Sequence, residues 1–183
     1  MTGAFLNKLL PLLEGHEGRS RFMYPDSKRN VTVALGHLLS NVQSALLLPF
    51  YVVETRTPAT KSQIAAGWAF VRAHNKPYPA LEMDDAAIDA LAETDLTGFE
   101  PTMQHTFGSA DLPEPAELAL WDMVFNLGSF HEFPELVAAV HAGDWNRAAD
   151  ECVRRDVSAT RNTDTQALFR EALMIGQNAR QIA

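Results

Sequence analysis

The chain has a single cysteine, Cys152, which excludes an internal disulfide and leaves stability to packing. It also lacks the basic surplus with which proteins hold duplex DNA or anionic lipid. Its 15 Lys and Arg stand against 23 Asp and Glu, a formal charge of −8, so no nucleic acid is expected as a main partner. No apolar run is long enough to cross a bilayer, and the longest, Ala45 to Val53, is broken by Pro49, so no membrane insertion is expected. Met1 to Glu17 lacks a basic leader and a small-residue cleavage site. A removable signal peptide is therefore not expected, and the chain would be made in the cytoplasm and need another carrier to reach a target outside it. The six histidines are scattered, with no H-E-x-x-H or other dense ligand spacing, so a zinc amidase is not expected.

What the chain does have is enough apolar residue, 46% of 183, to fill one core or two small lobes that share a helix. Leu6, Leu9, Leu10 and Leu13 recur at helical spacing and predict a first helix from Gly3 to Glu17, stopped by Gly18. Val31 to Leu35 is β-branched and alternating, and the turn-rich Pro25 to Asn30 precedes it, which predicts a small antiparallel hairpin. The rest reads as helical. Thr60-Lys61-Ser62-Gln63 has capping-box form, Asp84 or Asp85 starts a helix through Ile88 and Leu91, and Pro113 and Pro115 introduce the most apolar helix, Ala116 to Leu127. Pro134 and Asp144 start two more, and Thr163-Asp164-Thr165-Gln166 offers another capping box before Leu168. Trp68, Trp121 and Trp145 lie on helical patterns and read as core, and Cys152 reads as a small buried side chain. Asp122 interrupts the apolar helix and needs a partner that the sequence does not name. The fold class is α+β, mainly helical, with the hairpin after the first helix.

Two carboxyls stand where the pattern changes. Glu17 ends the first helix and Asp26 sits in the turn of the hairpin, with Thr32 on the following strand. Cleaving a glycosidic bond needs one protonated carboxyl to give a proton to the leaving oxygen and one carboxylate to activate water or attack carbon. The negative end of a helix macrodipole and burial both disfavour an ionised Glu17, whereas a polar turn keeps Asp26 ionised. The Thr32 side chain points opposite to Val31 and Val33, so its hydroxyl can hold a water. The spacing of these three residues is, alone, equally that of a solvated turn beside a helix.

Their context is not neutral. His16-Glu17-Gly18, Tyr24-Pro25-Asp26 and Thr32-Val33-Ala34-Leu35-Gly36-His37 follow one another without a gap, and Ala119-Leu120-Trp121-Asp122-Met123-Val124-Phe125-Asn126-Leu127-Gly128 and Gly143-Asp144-Trp145 stand downstream. In these stretches the chain resembles the phage-type lysozymes. With its long segment from Asn41 to Pro79 and with Arg161-Asn162, it is similar to bacterial toxin relatives of that family, including those delivered by type VI secretion. The resemblance implies a single two-lobed lysozyme-like domain over residues 1–183. Its small lobe would take about residues 14–60, and a helical lobe about 61–183 plus the first helix.

It also implies a cofactor-free muramidase that hydrolyses peptidoglycan after N-acetylmuramic acid with inversion, Glu17 as acid, Asp26 as base and Thr32 positioning the water. Arg161 would match the arginine that reaches the acid, Phe125 and Asn126 the substrate-facing wall, and His37 a hydrogen bond that orients Glu17 or the hairpin. An arginine beside Glu17 favours its ionised form, which opposes the helix-end and burial effects and leaves the net sign open. Two departures concern glycine: Ala34 stands where the family has one after the threonine, and Arg29 and Asn30 occupy a turn where one is common. A third is the acidic balance, where many wall-lytic enzymes are basic. The site of action would be the periplasm or wall of a target bacterium, reached on a secretion-spike carrier or, as an endolysin, in a phage host. An immunity protein would guard the producing cell of an injected effector. Two rivals stay open: a non-catalytic wall-binding module, and a lytic transglycosylase working with one glutamate.

Overall fold

The structure, a computed structural model, describes residues 1–108 and 112–182, with the backbone alone for 176–182. Its elements in chain order are α1 (Gly3–Glu17), β1 (Ser20–Pro25), β2 (Val31–Ala34), β3 (His37–Leu38), α2 (Val42–Leu46), β4 (Tyr51–Val52), α3 (Lys61–His74), β5 (Leu81–Glu82), α4 (Asp85–Phe107), α5 (Glu114–Leu127), α6 (Pro134–Ala142), α7 (Trp145–Glu151) and α8 (Ala159–Ile182). This is the mainly helical α+β fold expected, with small antiparallel sheets. None of the described helices is long and apolar enough to cross a membrane. The chain forms two compact units, Leu10–Asp95 and Met1–Leu9 with Leu96–Ala183. The division falls inside α1 and α4.

In the unit Leu10–Asp95, β1, β2 and β3 form a three-stranded antiparallel sheet and β4 pairs β5. Tyr24 lies opposite Thr32 and Pro25 opposite Val31, with an irregularity between Ser20 and Tyr24. The core beneath holds Met23, Val31, Val33, Phe50, Ile64, Val71, Met83 and Ile88. β2 is buried along its whole length, Thr32 included. Helix α3 starts as its sequence predicts: Thr60 accepts from the Gln63 N–H and Gln63 returns the bond to the Thr60 N–H. It lies close against β1 and the loop before β5. A Cβ on Gly67 would come within 2.8 Å of the Tyr78 ring and 2.9 Å of the Met23 methyl, so only glycine fits there.

Two positive-φ residues bound the hairpin. Arg29, in the turn, has φ 63° and Ala34, at the end of β2, φ 59°. The left-handed residue of the turn is therefore Arg29 and not Asn30, whose side chain is used otherwise, as described below. A Cβ in this region costs about 1–2 kcal/mol. Ala34 is buried, and burying a methyl returns about 0.8 kcal/mol. That return explains why an alanine is tolerated where glycine would be unstrained.

In the other unit α5 is buried on nearly every side, from Pro115 to Val124, and both α5 and α7 pack on α8. Asp144 caps α7 through the Arg147 N–H, and Gly128 and Gly143 close α5 and α6 in left-handed conformations. The expected capping box at Thr163–Gln166 is not a helix start. α8 begins a turn earlier at Ala159, where Ser158 Oγ accepts the Arg161 N–H at 3.1 Å. Thr165 lies buried inside the helix, donating to the Arg161 carbonyl at 2.8 Å. The cause is tertiary, since the buried Asp122 draws Arg161 and Thr165 onto one helical face. Cys152 is buried, its thiol donating to the Ala149 carbonyl, and burial pushes its pKa up to about 11.

Candidate active site

Glu17, Asp26, Thr32 and His37 all fall in the unit Leu10–Asp95. Glu17 is the last residue of α1, because Gly18 takes φ 77° and its N–H closes on the Glu14 carbonyl at 2.9 Å. The chain is then caught immediately. The Arg19 guanidinium binds Asp89 at 2.8 Å, Asp85 at 3.2 Å and Glu14 at 3.3 Å, and donates to the Asp85 backbone carbonyl. The end of α1 is thereby tied to the first turns of α4.

Asp26 organises the turn. Its Oδ1 accepts the backbone N–H groups of Lys28 (2.8 Å) and Asn30 (2.7 Å), and its Oδ2 accepts from Asn30 Nδ2 (2.9 Å). Burial would raise its pKa, but these three bonds and the nearby Lys28 charge outweigh burial and leave it below the usual aspartate value. The group is held ionised by the turn it builds. The sequence pattern Asp-x-x-x-Asn was available to reveal this, but only as one possible turn among several.

Tyr24 lies in the electrostatic field of both carboxyls. Its phenol is raised above its ordinary pKa first by burial, then by the negative charges of Glu17 and Asp26. One hydroxyl thus feels both acids, so both lie within electrostatic reach of it. Thr32, directly across the sheet from Tyr24, is buried, and its Oγ1 donates to the Asn30 carbonyl at 3.3 Å. Asp26, Asn30, Thr32 and Tyr24 thus form one contiguous polar group on the hairpin.

His37 is paired with a residue distant in sequence. Its Nδ1 lies 2.9 and 3.0 Å from the two oxygens of Asp95, which fixes the ring proton on that nitrogen and fastens β3 to α4. Asp95 lies 58 positions further along the chain, and no local pattern announces such a pair.

The remaining candidates lie in the other unit. Phe125 packs edge-on against Phe99 with ring centroids 6.2 Å apart, and Asn126 is exposed on the wall of a pocket with Phe133. Arg161 is buried and grips Asp122, Nη2 to Oδ1 at 2.8 Å and Nε to both oxygens. Arg154 binds the same carboxylate at 2.9 Å, so the charge of Asp122 is met by two arginines. Among the described residues, no group of three or more His, Cys, Asp and Glu is arranged to hold a metal ion.

No curated protein matches the chain. A family profile described as phage lysozyme matches residues 14–171, which takes in Glu17, the hairpin and Arg161. That match spans most of the sequence: the chain belongs to the phage lysozyme family, and with it to the lysozyme-like glycosidases that degrade peptidoglycan.

Proposed function

We propose that the chain is a muramidase that hydrolyses the β-1,4 bond between N-acetylmuramic acid and N-acetylglucosamine with inversion. Glu17 gives its proton to the glycosidic oxygen as the bond to the sugar carbon breaks. A water attacks that carbon from the opposite face, and Asp26 takes the water's proton. The products are one chain end with a free hydroxyl and one reducing end, and both carboxyls regain their starting states by exchange with solvent. Inversion requires about 6.5–9.5 Å between the two carboxyls, enough to admit the water. Thr32 helps to hold that water beside Asp26.

The observation that carries this reading is the placement of Glu17 at the end of α1 and of Asp26, held by the Lys28 and Asn30 N–H groups, in the turn of the hairpin that follows. The hydrogen bonds on Asp26 support its part, since a base must be ionised before it can take a proton. Among the described residues Oδ2 accepts from one donor and so keeps a lone pair for the water. The family supplies the substrate class.

Delivery belongs to the same proposal. We infer an antibacterial effector injected by a secretion machine and acting on the wall of the target cell, with an immunity protein in the producer. The support is the resemblance of the 41–79 segment and of Arg161-Asn162 to toxin relatives.

The test of the chemistry is Glu17→Gln. We expect it to remove lysis of purified sacculi by about a thousandfold or more while the circular dichroism spectrum stays unchanged. Undiminished lysis would refute the assignment. Mass spectrometry of the wild-type products is expected to show reducing ends, whereas anhydro sugars would mean a lytic transglycosylase.

A further inference from the structure

Asn30 touches both parts of the hairpin that the proposed hydrolysis uses. Its side-chain Nδ2 donates to Asp26 Oδ2 at 2.9 Å and its backbone N–H to Asp26 Oδ1 at 2.7 Å. Its carbonyl accepts the Thr32 hydroxyl at 3.3 Å and the Asp26 N–H at 2.9 Å. The turn does not call for the side-chain contact. The Lys28 and Asn30 N–H groups tie Oδ1 to the backbone and would do so with any ordinary side chain in place of the asparagine. The amide adds a grip on the second oxygen. An ionised carboxylate only accepts hydrogen bonds, so the asparagine must present its nitrogen there.

That second grip fixes a direction. The last torsion of an aspartate side chain is soft, and a carboxylate held at one oxygen can still swing about it. Held at both, it keeps the open lone pair of Oδ2 in one orientation. The Thr32 hydroxyl is constrained as well. It has one proton, which goes to the Asn30 carbonyl, so toward a water its oxygen can only accept. A water between Asp26 and Thr32 must then point one proton at each, which leaves its lone pairs to face the sugar carbon.

We propose that Asn30 is a positioning residue of the hydrolysis, its amide aligning Asp26 and its carbonyl aligning the Thr32 hydroxyl, so that the attacking water is held with its lone pairs toward the sugar. As the new C–O bond forms, the water passes one proton to Asp26 and keeps the other as the hydroxyl of the reducing end. This rests on the muramidase reading and adds to it a residue that acts through two others.

The same amide bears on charge. Burial raises the Asp26 pKa, and the largest of the opposing influences is the Asn30 side chain, ahead of the Asn30 and Lys28 N–H groups and the Lys28 charge. Lys28 and Arg29 share the turn, and Arg72 reaches it from α3 by donating to the Arg29 carbonyl. Tyr24 on β1 responds to Asp26 and also to Glu17 at the end of α1. All of these stay in place when only the Asn30 side chain is changed.

The test compares the full chain with Asn30→Ala, which removes the amide and keeps the backbone, and with Asn30→Asp, which keeps the shape and replaces the donor by a negative charge. Hydrolysis of soluble peptidoglycan fragments is followed across pH, and the Asp26 carboxyl is titrated by NMR. Asn30→Ala is expected to lower kcat about ten- to a hundredfold with KM changed less than about twofold. The acid limb of its kcat profile and its Asp26 titration are expected to move upward together, and further in Asn30→Asp. Should one variant fail to fold, the other carries the same readouts. A loss of kcat with the acid limb and the Asp26 titration in place would mark a structural residue and overturn the proposal, as would an undiminished kcat or a rise in KM alone. Undiminished lysis by Glu17→Gln would bring down the muramidase reading and this alignment with it. An Asp26 titration blind to Asn30→Ala would bring down the alignment alone.

Discussion

Both units hold carboxylates in hydrogen-bonded networks, but they use them differently. In Leu10–Asp95, Asp26 is partly exposed and bound by backbone N–H groups and an amide, so it can exchange a proton with water. In the other unit Asp122 is fully buried and clamped by two arginines and a threonine. Chemistry needs a carboxylate whose environment fixes its charge without sealing it off. A helical core needs its buried charges neutralised. The same residue type serves one end in the hairpin and the other on the buried α5.

One substitution made at both places breaks this comparison most sharply. Asp122→Asn leaves two buried guanidinium groups without their anion and should cost about 3–5 kcal/mol, the range for breaking a buried pair. Asp26→Asn should cost under about 1 kcal/mol, because an amide still accepts from the turn, while lysis is lost. Urea unfolding and a sacculus assay measure the two effects. Equal stability losses would erase the distinction between the units.

Smaller effects sharpen the picture inside Leu10–Asp95. Gly67→Ala forces a methyl into the Tyr78 ring and should destabilise by about 1–3 kcal/mol, read as a lower urea midpoint with an unchanged slope. Arg29→Gly relieves a left-handed Cβ on an exposed turn. Its gain of about 1–2 kcal/mol, less about 0.4–1 for the freer unfolded chain, leaves a small net stabilisation.

The subtlest effect is on Tyr24. Because Glu17 and Asp26 both raise its phenol, neutralising either should move its titration down toward the ordinary value near 10, only partly since burial remains. The sign for stability follows. With its folded pKa raised, Tyr24 contributes fully below pH 10 or so, and the contribution fades as pH climbs through the folded value. For Asp26, depressed in the fold, stability is present above about pH 4 and fades as pH falls through its lowered value. A Tyr24 titration unmoved by Glu17→Gln would remove the link between the two acids.

How far the sequence spoke for itself differs from element to element. α1 and α5 were legible because leucine spacing, prolines and closing glycines are local features. The strands β3, β4 and β5 were not, since two residues carry no periodicity and Tyr51 finds Glu82 only through the tertiary fold. The two Thr-x-x-Gln segments make the point together. Thr60 to Gln63 is exposed at a chain entry and caps α3, whereas Thr163 to Gln166 repeats only its first and last residues and lies inside α8, because the buried Asp122 recruits Arg161 and Thr165. At the site, Glu17 and Asp26 stood in a contiguous motif, and the bonds from Asn30 explain the charge of Asp26. Asp95 and Arg154 act through contacts distant in sequence, and nothing beside them in the chain marks them.

The lone thiol has a practical consequence. With its sulfur enclosed beside Ala149 and reluctant to ionise, Cys152 should ignore maleimides under native conditions. The natural chain is then already a silent background for labelling. A cysteine introduced at an exposed position of choice would carry a fluorophore or spin label alone, with no need to engineer the native one away.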